Sequence, residues 1–163
     1  LRRSPDELKR RMEELRRELT PSHLAKADLF KGHILYEKRC SSCHTLYGKG
    51  GKLGPDLTGS GRSNLDYLLQ NVVDPNGAVS TDYRMHVIET KDGRVLSGMI
   101  VGQDRNSIVL RMPGSESVIS KSMMQSRDAL PNSIMPVGLL DDLSERERRD
   151  LIAYLMSPRQ IDP

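Results

Sequence analysis

Residues 40–44 read CSSCH, and they hold both cysteines of the 163-residue chain. Two cysteines three apart admit several chemistries: half of a zinc site, a redox dithiol, two anchors for a porphyrin, or a pair of structural thiols. A zinc site needs four ligands, yet there is no second cysteine pair and His23, His33 and His86 are scattered. A thioredoxin-like dithiol sits at a strand-to-helix junction, whereas this motif ends a stretch with helical periodicity. C-x-x-C-H is also the attachment signature of c-type haem. Cys40 and Cys43 occupy neighbouring positions of a helical turn, so both sulfurs can reach one porphyrin edge. His44 follows at once and brings its imidazole beneath the iron. Haem is the leading reading, and the context outside these five residues has to decide it.

Composition narrows the field. Hydrophobic residues make up 36% of the chain, with one Phe and no Trp, a thin supply for a core of this size that a bound apolar cofactor would supplement. The net charge of +3 comes from interleaved acids and bases, with no basic stripe for nucleic acid. No apolar run approaches the roughly 18 residues of a membrane-spanning helix, and no signal peptide is evident. The chain begins at Leu1 and not at a start methionine. It reads as a piece of a larger protein, so the missing export signal assigns no compartment.

Working outward, residues 1–20 predict an amphipathic helix: Ser4 and Glu7 form a capping box, and Leu8, Met12, Leu15 and Leu19 form one apolar stripe. The stripe fits a linker helix packed on its own domain, or a docking or dimerising helix. A second helix is expected from near Asp28 through Cys40, then a Gly-rich loop, then a helix "NLDYLLQNVVD" capped by Ser63 and ended at Pro75. From Tyr83 to Ser120 the pattern alternates, with "KDGR", "QDRN" and "MPGSE" as turns, predicting an antiparallel meander of about four strands. Ser144 and Glu147 make a second capping box that opens a last helix, whose buried stripe is Leu151, Tyr154 and Leu155 and which Pro158 ends.

Several separated features together resemble a class I cytochrome c. Gly32 and Tyr36 precede Cys40 by eight and four residues, and the last helix reads "DLIAYL" at 150–155. The resemblance implies a close crossing of those two helices. "LGPDL" at 53–57 is similar to the family's G-P-x-L loop. It implies that the Pro55 carbonyl accepts from His44 and that Leu57 packs on the haem face. Arg62 matches an arginine that pairs with a haem propionate. "SIMP" places Met135 fifteen residues before Asp150, near the family's offset for the second axial ligand. The long separation of His44 from Met135 narrows the resemblance to the haem-binding domain found at the C-terminus of large multidomain proteins of planctomycetes, with "GPDLTGSGR" and "TKDGRVLSG" among its shared wording.

The implied fold is mainly α: a class I cytochrome c fold with an antiparallel β insertion before the Met-ligand loop, plus the N-terminal amphipathic helix. The expected division is a linker or docking helix at 1–25 and a cytochrome c domain at 26–163, with the insertion at about 80–125. The implied function is electron transfer by one covalent haem c with His44 and Met135 on the iron. The cofactor set is Cys40, Cys43, His44, Pro55, Leu57, Arg62 and Met135. The chain would not itself be an enzyme but a module, or part of a larger oxidoreductase, served by a fused or partner dehydrogenase outside the cytoplasm, in the periplasm. The N-terminal helix and the β insertion are the candidate homodimer contacts. The alternative is a haem sensor or peroxidase-like domain with a labile sixth ligand.

Overall fold

A computed structural model of the chain describes residues 3–77 and 83–161. The expected start of the insertion, near residue 80, lies outside the described residues. The chain divides into two compact units, Leu1–Gly77 with Pro136–Pro163, and Ala78–Met135.

The first unit is helical. Helix α1 spans Pro5–Glu18 and carries the expected capping box between Ser4 and Glu7. Thr20 then caps a single turn, α2 at Pro21–Leu24. Helix α3, Leu29–Arg39, starts because the Asp28 carboxylate accepts from the amides of Phe30 and Lys31, and its last turn is basic, as the helix dipole favours. Helix α4 is Leu65–Val73, and its cap is Asn64, one residue after the expected Ser63. Helix α5, Glu145–Met156, opens on the expected Ser144–Glu147 box.

The α1 stripe is covered inside this unit. Leu15 and Leu19 are 0% and 1% exposed, and they share a core with Leu68, Leu69 and Val73 of α4 and with Leu151, Ile152 and Leu155 of α5. The helix has therefore spent its apolar face within the chain, which removes the seam that a dimerising role would use. Helices α3 and α5 cross closely. A Cβ at Gly32 would overlap the Asp150 carbonyl oxygen and Tyr154 Cβ. Tyr36 packs on Tyr154 with ring centroids 5.6 Å apart, and His33 Nδ1 is 2.9 Å from the Tyr154 hydroxyl.

The second unit is a five-stranded antiparallel sheet: β3 Arg84–Thr90, β4 Val95–Gln103, β5 Ser107–Met112, β6 Ser115–Ser120 and β7 Met124–Ser133, in the order β6-β5-β4-β3-β7. (Strands β1, Thr45–Leu46, and β2, Lys49–Gly50, belong to the first unit.) Alternation puts Ile88, Ile108, Leu110 and Ile119 on one face, and they form a core of their own, 0–3% exposed.

The expectation of a mainly α, class I cytochrome fold is overturned. Of the described residues 35% are helix and 27% strand, with a five-stranded sheet. Two physical reasons stand out. The strands bury a core instead of decorating a helical one, and the sheet runs beyond the four expected strands to Ser133. Strand β7 escaped notice because "MQSRDALPNS" barely alternates and contains Pro131. A proline is tolerated there because β7 is an edge strand and its pairing with β3 slips between the Arg84↔Ser133 and His86↔Ala129 partners.

Candidate functional site

The site grows from the end of α3. At Cys40 the helix gives way to a turn in which the amides of Cys43 and His44 both reach back to the Cys40 carbonyl, at 3.1 and 2.9 Å. Cys40 and Cys43 stay as free, half-buried thiols on that turn. Burial pushes the Cys40 thiol up to about 11, so it stays protonated at neutral pH. Among the described residues, no group of three or more His, Cys, Asp or Glu is placed to hold a metal ion, so the cysteine pair does not extend into a larger ligand cluster.

After His44 the chain folds into the β1–β2 hairpin. Its two-residue turn, Tyr47 and Gly48, is left-handed at both positions, with φ of 51° and 78°, as a type I′ turn requires. The loop that follows is pressed against the attachment turn. A Cβ at Gly51 would overlap the Ser42 carbonyl, and one at Gly54 would lie 2.5 Å from Cε1 of the His44 ring. Only glycine lets this loop approach so closely. The approach brings the Pro55 carbonyl oxygen to 2.8 Å from His44 Nδ1. A carbonyl only accepts, so Nδ1 carries the proton and Nε2 presents its lone pair. Nε2 has no hydrogen-bond partner among the described residues. From the other side, the Tyr36 hydroxyl donates to the His44 carbonyl at 3.0 Å. Burial raises the Tyr36 hydroxyl's pKa, so it remains a donor.

Leu57 is half-buried against the helical core, and its amide donates to the Thr45 carbonyl. Arg62 is 7% exposed. Its Nε donates to the Leu57 carbonyl at 3.1 Å, Nη1 to those of Leu155 and Ser157, and Nη2 to the Tyr47 hydroxyl at 2.8 Å. Every one of these acceptors is neutral, and four of the guanidinium's five N–H groups are used. Tyr47 also lies under the guanidinium, 5.1 Å away, and donates to the Ser157 carbonyl. A buried cation answered only by neutral oxygens suits a nearby anionic group.

The first unit thus gathers Cys40, Cys43, His44, Pro55, Leu57 and Arg62. Met135 is the last residue of the second unit, half-buried, with its amide on the Ser133 hydroxyl at 3.1 Å. Sequence reasoning missed Tyr47 and the hydroxyl role of Tyr36. The Tyr-Gly pair in "LYGKG" was the available signal for the first. It also missed Arg39, whose guanidinium meets Asp142 far along the chain.

The donor set fits a covalently held haem: two thiols on one turn, an imidazole with its proton fixed on the far nitrogen, and a buried guanidinium with a spare N–H. These features support a cytochrome c-type domain. Consistent with that, residues 27–89 match the model of the family described as cytochrome c oxidase, cbb3-type, subunit III. The matched stretch covers α3, the attachment turn, the Gly-rich loop, α4 and the first strand of the sheet. Haem-based electron transfer is the chemistry such a domain implies, with a redox partner protein. No curated protein matches the chain. Among the described residues no helix is long and apolar enough to cross a membrane.

Proposed function

We propose that this chain is a monohaem electron-transfer module, with one haem c held through thioether bonds from Cys40 and Cys43 and ligated by His44 and Met135. The observation that carries the reading is the His44 Nδ1 to Pro55 carbonyl bond of 2.8 Å. It fixes the tautomer and the ring plane, and it strengthens Nε2 as a donor to a metal. Ligand histidines commonly use their second nitrogen in this way. When bound, the haem supplies a one-electron iron couple, and a thioether ligand favours its reduced form.

The protein's own residues do the remaining work. Gly54 lets the loop close on the His44 ring. Leu57 offers an apolar surface. Arg62 would hold a haem propionate, which would compensate a charge that has only neutral partners here. Met135 is assigned as the sixth ligand from its place in "SIMP", fifteen residues before Asp150. Thioether attachment belongs to the outside of the cytoplasm, so the module works in an extracytoplasmic space such as the periplasm. Its electrons come from a fused or partner dehydrogenase.

Intact mass and the visible spectrum of the oxidised protein test this reading. The expected mass is the chain plus one haem, and the expected spectrum shows a methionine–iron charge-transfer band that Met135→Ala abolishes. High-spin iron in the untreated protein, with rapid binding of cyanide or peroxide, refutes it in favour of a sensor or peroxidase-like domain.

A further inference from the structure

We propose that Arg39 is a positioning residue for the sixth ligand: its clamp on Leu139 and Asp142 sets how firmly the Met135 thioether holds the iron. The inference rests on the assignment of Met135 made above. Arg39 is the last residue of α3 and directly precedes Cys40. Its Nη1 donates to the Leu139 carbonyl at 3.0 Å and to Asp142 Oδ1 at 2.8 Å, while Nη2 donates to Asp142 Oδ2 at 2.8 Å. This is the two-pronged geometry that gives arginine–carboxylate pairs their directional precision.

The segment it grips is short and already shaped. Gly138 is left-handed at φ 88°, the Asp141 amide returns to the Gly138 carbonyl at 3.1 Å, and Leu140 and Leu143 are 3% and 5% exposed. The neighbouring Asp141 is held by Arg3 at 2.6 Å and Arg11 at 3.5 Å. Two adjacent acids therefore anchor the turn to α3 on one side and to α1 and its approach on the other. Along the chain, two residues, Pro136 and Val137, separate Met135 from Gly138, and the Pro136 ring fixes its own φ. The thioether's freedom is limited by that stiff link and by the anchor that begins at Leu139. Loosening the anchor gives the released thioether more freedom and so weakens its hold on the iron at equilibrium, and an added ligand competes better.

The test is an imidazole titration of the ferric holoprotein, read by loss of the methionine–iron charge-transfer band. The Asp142 side chain is 69% exposed and that of Arg39 25%. Because the pair is exposed its contribution is small, and the expected effect is an about fivefold tighter apparent imidazole affinity in Arg39→Gln. Asp142→Ala, a change at an exposed side chain, gives the same shift, and the double variant gives no more than either alone. Arg16→Gln removes a comparable exposed pair, Arg16 with Asp66, and leaves the affinity unchanged. If the wild type shows the band but Arg39→Gln and Asp142→Ala bind imidazole as it does, or Arg16→Gln shifts equally, the positioning role is refuted alone. A wild type without the band refutes the assignment of Met135 and this inference together.

Discussion

Replacing Gly32 by alanine puts a methyl group into the α3–α5 crossing. In an exposed helix interior the same change stabilises by about 1 kcal/mol, because glycine is the poorer helix former. Here the added Cβ would overlap the Asp150 carbonyl oxygen and Tyr154 Cβ, with the Asp150 carbonyl carbon 2.8 Å away. Two of these three atoms are backbone and cannot swing aside. Relief requires the helices to separate, which also stretches the 3.0 Å bond from the Asp28 amide to the Asp150 carboxylate and unpacks Tyr36 from Tyr154. Overpacking of this kind costs roughly 1–3 kcal/mol and more where backbone resists. Because the clash is with backbone, the cost lies at the upper end of that range, about 2–3 kcal/mol; less the gain in propensity, the net loss is about 1–2 kcal/mol, or a fall of roughly 2–8 °C in melting temperature for a chain of this size. Thermal unfolding of the holoprotein followed by circular dichroism measures it. An alanine variant as stable as the parent would refute the close crossing and, with it, the placement of Cys40 by α5.

Leu15→Ala, at a position 0% exposed, should cost about 2–5 kcal/mol by chemical denaturation; a loss below about 0.5 kcal/mol would mean that α1 does not pack on its own unit. Gly54→Ala should push the loop off the His44 ring and lower the fraction of chain carrying haem by intact mass, and unchanged loading would contradict the contact. The Arg39 guanidinium holds the Asp142 carboxyl below its ordinary value. A depressed folded-state value stabilises above the unfolded value, about 3.9, and the gain disappears as pH falls through the folded one. Wild type and Asp142→Ala should therefore differ in stability at pH 6 and converge in strong acid; a gap that stays constant from pH 6 to pH 2 would show that the pair has no such linkage.

Capping boxes and helical stripes were readable from the sequence because they are local. Ser4, Glu7, Ser144 and Glu147 act within one turn, and the Leu8–Leu15–Leu19 stripe needs only a period of 3.6. The His44–Pro55 bond was legible by resemblance, through "LGPDL". The fold class was not, because nothing local distinguishes four strands set on a helical core from strands that bury one of their own. That difference lies in which side chains from β3, β5 and β6 converge, with Ile88, Ile108 and Ile119 drawn from distant stretches. Arg62 shows the same limit. Its motif position suggested a propionate partner, while its four bonds to Leu57, Leu155, Ser157 and Tyr47 depend on where the chain returns after α5.

Helix α3 is the element on which the whole site turns, and its eleven residues could not hold it alone. Isolated helices shorter than about 12–15 residues are marginal in water, and this one includes a glycine. Its order comes from partners spaced along its length. Asp150 takes the Asp28 amide, α5 fills the notch at Gly32, Tyr154 meets His33 and Tyr36, and Asp142 grips Arg39. All of these lie between residues 142 and 154, so one return of the chain fixes α3 from cap to last turn. The attachment turn inherits that order, since Cys40 continues α3 and Tyr36 reaches on to the His44 carbonyl. A change in α5 that touches neither cysteine nor His44 should therefore disturb the imidazole as surely as a change in the motif itself.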